Sequence, residues 1–197
     1  MSALNFFSPP TVCECNGEHC MLTERTTESD LEKRPHQFNY SSACLTHLLE
    51  HVNLSDMYPD KILSVGSGNG FLDDIIAKRV FGASKVLLTD SQPRHPAVQK
   101  MDCTEAIETV GHMYDTLMFC YPSTRSAGYK NCLDKFDGSC VIFIGDLTLT
   151  GRNNPDGLLE QLYAKYKQFG KTPLLKCKKS CSSSAKMDYI SVFGSLR

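Results

Sequence analysis

An α/β fold, a mostly parallel sheet with helices on both faces, is what three features of this sequence predict. The apolar run Ile62-Leu63-Ser64-Val65 breaks into alternating glycines, Gly66, Gly68 and Gly70, then resumes with helical spacing at Leu72, Ile75, Ile76 and Val80. That is a buried strand, a tight turn and a helix, the unit that brings bare backbone close to a nucleotide-like ligand. About twenty residues on, as such units require, the run Val86-Leu87-Leu88-Thr89 ends in Asp90. A carboxylate at a strand tip accepts hydrogen bonds from ribose hydroxyls. The third feature is the tail of the chain, where two strand patterns follow one another across a polar turn. The glycine turn and Asp90 together predict a Rossmann-like fold that binds an adenosine-containing cofactor.

The elements follow in order. Ser41 or Ser42 caps a first helix whose buried stripe is Ala43, Leu45, Leu48, Leu49 and Val52. Strand one spans 61–65, the helix after the glycine turn 72–80, and strand two 85–89. A short third strand leads to Asp102 and a helix over 104–110. Strand four spans 115–120 and stops at Tyr121-Pro122, because proline cannot join a ladder. Residues 123–136 carry a weak helical pattern, and strand five spans 140–145. A helix over 157–169 buries Leu158, Leu159, Leu162, Tyr163 and Tyr166, and strands over 174–177 and 189–193 close the sheet around a turn at 180–185. The expected architecture is a Rossmann-like seven-stranded, mostly parallel sheet with helices on both faces and a C-terminal antiparallel hairpin. Residues 1–37 hold no period and read as an arm or lid, mobile or folded over the domain formed by 38–197.

Composition narrows the function classes. At 197 residues, 41% hydrophobic and 22% charged, the chain suits one soluble domain. No apolar run approaches the roughly 20 residues that cross a bilayer, and the N-terminus lacks a basic region followed by an apolar stretch. A cytoplasmic protein with no membrane partner is the expectation. Its net charge of −1, from 21 basic and 22 acidic residues, disfavours a nucleic-acid partner without excluding one. Cys44, Cys120 and Cys140, among 10 cysteines, fall inside core elements, which favours reduced thiols over a disulfide scaffold. Cys13, Cys15, His19 and Cys20 crowd one segment, and Cys177 and Cys181 another. These types suit zinc, but C-x-C-x3-H-C is not a recurrent zinc spacing and paired C-x2-C knuckles are missing. Free thiols are favoured, and no metal is expected.

The glycine spacing separates the cofactors. A dinucleotide fingerprint has its third glycine one residue later, where this chain has Phe71. The pattern Gly66-x-Gly68-x-Gly70, the carboxylate at Asp90 and the terminal hairpin resemble the class I S-adenosylmethionine-dependent methyltransferases over most of residues 40–197. A nucleotide-linked dehydrogenase explains the hairpin poorly. The resemblance implies S-adenosyl-L-methionine as cofactor and methyl transfer to an acceptor, small-molecule or macromolecular, that the sequence does not name. Backbone groups of Gly66, Ser67, Gly68 and Asn69 would surround the methionine part and the ribose. Asp90 would hold the ribose hydroxyls, or else stand solvated as a cap of the next helix, and Ser91 follows at the adenine edge. Asp102 and the small residue Cys103 stand where the family holds the adenine amino group and ring.

Two departures from the family pattern stand out. Many members carry an acid two positions before the first glycine, for the methionine amino group; here the residue is Ser64, and Asp73 or Asp74 are the candidates to supply that charge. Strand four ends in Phe119-Cys120-Tyr121-Pro122-Ser123, where amino-group methyltransferases carry an acidic or amide residue, two prolines and an aromatic. Cys120 takes the first of these positions. Tyr121 either lines the acceptor pocket or packs on the following helix. Asp146, at the tip of strand five, is the best-placed carboxylate for acceptor binding or as a general base, with a loop cap as the alternative. Arg125, Lys130, Arg152, Lys176, Lys178, Lys179 and Lys186 would give a basic rim that draws an anionic acceptor, unless they are ordinary solvated charges. The rival to an enzyme is a non-catalytic descendant of the fold acting as a binding or scaffold subunit.

Overall fold

A computed structural model describes residues 12–13, 59–123, 128–151, 153–173, 176–177 and 188–195. Seven strands, β1 (Lys61–Val65), β2 (Lys85–Asp90), β3 (Gln99–Lys100), β4 (Thr116–Cys120), β5 (Cys140–Gly145), β6 (Tyr166–Pro173) and β7 (Tyr189–Ser195), form one sheet. Their order is β3-β2-β1-β4-β5-β7-β6. The first five run parallel, and β7 inserts antiparallel beside β5, from Cys140↔Gly194 to Gly145↔Tyr189. β6 closes the sheet antiparallel to β7, with a register shift between Gln168 and Gly170.

Side-chain alternation divides the core between two faces. Leu63, Val65, Leu117, Phe119, Val141, Phe143 and Phe193 meet α2 (Cys103–Val110), α3 (Tyr129–Lys135) and α4 (Leu158–Lys165) on one face. Ile62, Met118, Cys120, Ile142, Ile144, Ile190 and Val192 meet α1 (Phe71–Ile75) and its continuation as a π-helix, Ile76–Val80, on the other. The central strands β4 and β5 are buried on both faces, which is why they read as unbroken apolar runs.

The C-terminal elements correct the sequence reading. The helix expected over 157–169 ends at Lys165, and Tyr166 opens β6, eight residues earlier than the expected strand at 174–177. Leu158, Leu159, Leu162 and Tyr166 are all buried, but Tyr166 reaches the core from a strand and Tyr163 stays 41% exposed, edge-on to Phe193. A helical spacing of apolar residues could not reveal this, because the last member of the stripe is satisfied equally from either conformation; the open edge of β7 decides. Lys176–Cys177 instead pairs with Val12–Cys13 in a separate two-stranded ladder. α3 begins at Tyr129, after residues 124–127, which lie outside the described residues, as do the helix expected at 43–52 and the boundary at 37/38.

The glycine turn makes a direct test of packing possible. Gly66, Gly68 and Gly70 all have positive φ, between 62° and 71°. A Cβ on Gly70 would stand 2.6 Å from Leu88 and 2.7 Å from Val98, while one on Gly68 would meet nothing within 4 Å. Gly68→Ala is therefore expected to cost only the left-handed conformation, about 1–2 kcal/mol. Gly70→Ala should cost that plus overpacking of a further 1–3 kcal/mol or so. Urea denaturation of the two variants checks this; equal losses would contradict the packing.

Candidate functional site

In open α/β sheets ligands bind beyond the carboxyl ends of the parallel strands, and at that edge the chain gathers its polar side chains. The glycine turn leaves β1 there. Ser67 N–H donates to Thr89 C=O at 2.9 Å and Gly70 N–H to Ser67 C=O at 2.8 Å, so the turn is sewn to β2 and to itself. Asn69 Oδ1 accepts from Phe71 N–H at the start of α1. Gly66, Gly68 and Asn69 are half-buried.

Beneath the turn lies Asp73, 3% exposed. Ser64 Oγ donates to its Oδ1 at 2.5 Å, and the Ser67 hydroxyl and the Cys120 thiol also donate to the carboxylate. Ser64 and Cys120 stand on the α1 face of β1 and β4, which is how residues far apart in sequence reach one acid. Burial raises the Asp73 carboxyl to about 6, against the pull of these donors. No cation among the described residues pairs with it. Asp74, the other candidate for the missing charge, faces outward and pairs with Lys78 at 2.6 Å. Burial, followed by the Asp73 charge, pushes the Cys120 thiol well up, so Cys120 is a protonated donor here and not a thiolate nucleophile.

Asp90 holds the turn from the other side. Its Oδ2 accepts from Gly68 N–H at 2.8 Å and its Oδ1 from Gln92 N–H at 2.7 Å. Each oxygen keeps a second lone pair. Ser91 is exposed beside it, and Arg94 N–H donates to Gly68 C=O at 3.0 Å, bringing the loop after β2 over the turn. Asp102 is the N-cap of α2, accepting from Glu105 N–H at 2.8 Å. Cys103 is buried, which pushes its thiol up to about 12, with the charges of Asp102 and then Asp90 adding to the effect. One thiol thus senses both acids, and the adenine-side candidates share one neighbourhood.

Tyr121 and Asp146 lie at the ends of β4 and β5. Tyr121 is a non-glycine residue at φ 51°, a conformation that costs roughly 1–3 kcal/mol and persists only where its surroundings hold it. Its N–H donates to Ile144 C=O at 2.8 Å, and its Oη donates to Asp188 Oδ2 at 3.3 Å. Asp146 is 2% exposed, with Oδ1 accepting from both the N–H and the hydroxyl of Thr148 at 3.0 and 2.7 Å.

Three residues of this edge escape the sequence reading. Tyr129 opens α3 after Gly128, packs edge-on to Phe119, and brings its Oη so close to Gly66 that a Cβ there would stand 2.2 Å from it. Asn153 latches the two strand ends: its Oδ1 accepts from Asp146 N–H at 3.0 Å and its Nδ2 donates to Pro122 C=O at 3.2 Å. Asp188, fully buried, precedes β7. None carries a local signal, since each acts through a residue distant in sequence. Of the basic rim, Lys130 is exposed, while Arg125, Arg152, Lys178, Lys179 and Lys186 lie outside the described residues. Among the described residues no group of three or more His, Cys, Asp or Glu side chains is placed to hold a metal ion, and no helix is long and apolar enough to cross a membrane.

Asp73 yields a pH test without any ligand. Its folded value of about 6 lies above the usual 3.8, so between those values the folded state binds more protons than the unfolded one. Stability should fall as pH rises from about 4 to about 6, by roughly 3 kcal/mol in all, and stay flat above. Asp73→Asn should remove that slope in urea denaturation compared pH by pH with the parent chain. Parallel curves would place the charge elsewhere.

No protein-family model and no curated protein matches the sequence. Solved structures do align with the chain. A Listeria monocytogenes protein of uncharacterised function aligns at a TM-score of 0.48 and 13% identity, over 79% of this chain and 68% of its own. The Bacillus subtilis m1A22 tRNA methyltransferase TrmK aligns at 0.47 and 14%, over 77% of this chain and 64% of its own length. Geobacter metallireducens precorrin-6y C5,15-methyltransferase aligns at 0.45 and 13%, over 81% and 92%. All of these alignments lie under 25% identity and below a TM-score of 0.5, and the fold is read from the chain itself: the strand order β3-β2-β1-β4-β5-β7-β6, five parallel strands and an antiparallel final pair, is a Rossmann-like sheet.

Proposed function

We propose that the chain binds S-adenosyl-L-methionine at the glycine turn and transfers its methyl group to an acceptor held against the ends of β4 and β5. The observation that carries this reading is the buried Asp73 carboxylate under a turn of bare backbone. A dinucleotide places its anionic pyrophosphate at such a turn, where a buried anion a few ångströms below would repel it. A ligand bringing an ammonium and a sulfonium is favoured by the same field. Phe71, in place of the third glycine of a dinucleotide fingerprint, agrees.

In this reading Ser64 and Ser67 relay the Asp73 charge to the ligand's ammonium, and the open face of Gly68 admits its backbone-facing edge. The free lone pairs of Asp90 accept the ribose hydroxyls while the occupied ones keep the turn closed. Asp102 and Cys103 border the adenine. The cofactor supplies an already activated methyl group, so the protein's part is alignment, desolvation and removal of a proton. Tyr121 and Asp146 border the acceptor, the first held rigid by Asp188 and Ile144, the second by Thr148 and Asn153. The lysines at 176, 178, 179 and 186 favour an anionic acceptor.

Asp90 gives the sharpest mutational test. Asp90→Ala removes charge-assisted bonds to the ribose worth about 1.5–3 kcal/mol each, so S-adenosylhomocysteine affinity should drop at least about tenfold. Because the same side chain anchors Gly68, stability should also fall by roughly 1–3 kcal/mol. Lost stability with unchanged affinity would leave Asp90 as a turn anchor only. For the reaction, the purified chain is incubated with methyl-labelled S-adenosylmethionine and the RNA, protein and small-molecule fractions of an extract. Label in one fraction, absent with Asp90→Ala, is expected; tight S-adenosylhomocysteine binding with no transfer to any fraction would favour a non-catalytic binding subunit.

A further inference from the structure

The strand order reverses between β1 and β4, with β2 and β3 to one side and β5 to the other. Ligands of open α/β sheets sit in the crevice outside the carboxyl ends of such a pair. Two side chains reach the tip of β1 there from opposite faces of the sheet, Asp73 from the α1 face and Tyr129 from the face covered by α2, α3 and α4. Gly128, at φ 101°, turns the chain into α3 and makes Tyr129 its first residue. The Tyr129 ring packs edge-on to Phe119 with 5.9 Å between centroids, and Phe119 pairs in register with Val65, the residue before Gly66. The three glycines of the turn then face three different surroundings. A Cβ on Gly70 would strike Leu88 and Val98, one on Gly68 would meet open space, and one on Gly66 would stand 2.2 Å from Tyr129 Oη and 2.9 Å from its Cζ. A ligand group that rests on the backbone of Gly66 therefore comes within reach of a phenol oxygen. Packing alone does not call for that oxygen, since Phe119, Leu133 and Phe143 fill the same cluster with no polar side-chain atom.

We propose that Tyr129 is a specificity-determining residue of the cofactor site, its hydroxyl oxygen favouring the charged sulfonium of S-adenosylmethionine over the neutral thioether left after methyl transfer. This inference rests on the reading of the glycine turn as the S-adenosylmethionine site. A phenol oxygen carries two acceptor lone pairs, and it attracts positively polarised C–H groups, each such contact being weak. The carbons bonded to a sulfonium bear hydrogens of that kind, and those bonded to a thioether bear them far less. Asp73 makes a different demand. Its charge, passed on through Ser64 and Ser67, acts chiefly on the ammonium, which the cofactor and its product share. Asp73 thus holds both molecules, while Tyr129 tells them apart. The consequence for turnover is that the spent cofactor loses a contact at the moment the methyl group leaves.

The test is a calorimetric titration of the full chain with S-adenosylmethionine and with S-adenosylhomocysteine, in the parent, in Tyr129→Phe and in Asp73→Asn. Tyr129→Phe keeps the ring against Phe119 and removes one oxygen. It should weaken S-adenosylmethionine roughly threefold to tenfold and leave S-adenosylhomocysteine within about twofold of the parent. Asp73→Asn should weaken both ligands by similar factors. A second readout needs no variant: with an isotope-labelled methyl group on bound S-adenosylmethionine, nuclear Overhauser effects should connect that methyl to the Tyr129 ring in the parent chain. Equal weakening of both ligands by Tyr129→Phe, or an unchanged ratio of their affinities, would make the hydroxyl a support for Gly66 alone and overturn the inference. A bound methyl group with no contact to the ring would do the same. A parent chain that binds neither ligand overturns the cofactor reading itself, whereas binding of both with the ratio unmoved overturns this inference and leaves that reading standing.

Discussion

A carboxylate that meets no cation among the described residues, buried beneath a turn of bare backbone, is the constraint around which this edge of the sheet is arranged. An unpaired buried charge is costly unless several donors meet it, and three elements send one each: Ser64 from β1, Ser67 from the turn, Cys120 from β4. Ser64 and Cys120 are polar positions on strand faces that are otherwise Ile62, Met118, Ile142 and Ile144. The first turn of α1 is thereby fixed against two strands. From above, Asp90 fastens Gly68 and the Arg94 loop closes over it. The turn is held between two acids, and only ligands that tolerate a negative field suit it.

The ends of β4 and β5 are built differently. They rely on strained or latched backbone: Tyr121 in the left-handed region, Gly145 at φ 146°, and Asn153 bonded to both strand ends. A Cβ on Gly145 would stand 2.7 Å from Asn153 Oδ1, so the glycine is what lets the latch close. Rigid placement of this kind is what an alignment mechanism needs, because misplacement of reacting groups by even an ångström is expensive in rate. The fold thus separates its tasks: electrostatics over β1 and β2, positioning over β4 and β5.

Much of this arrangement is legible in the amino-acid sequence. Alternating glycines after an apolar strand are a local signal, and so is a carboxylate at the next strand tip; both lie where the pattern puts them. Asp73 and Asp74 can both be named from sequence, yet not told apart, since only the outward ion pair of Asp74 with Lys78 and the inward bond from Ser64 to Asp73 separate two adjacent acids. Tyr129, Asn153 and Asp188 are illegible there because their partners are Gly66, Pro122 and Tyr121, each tens of residues away. The start of β6 is missed for another reason: around Tyr166 helical and strand periods predict the same burial, and pairing with β7 breaks the tie.

The measurement that bears most directly on this account is a calorimetric titration of the chain with S-adenosylhomocysteine and with NAD, repeated at pH 7.5 and about pH 5.5. The account predicts that S-adenosylhomocysteine binds, more weakly at the lower pH because Asp73 is then largely protonated, and that NAD is silent. Binding of NAD with silence from S-adenosylhomocysteine would contradict it.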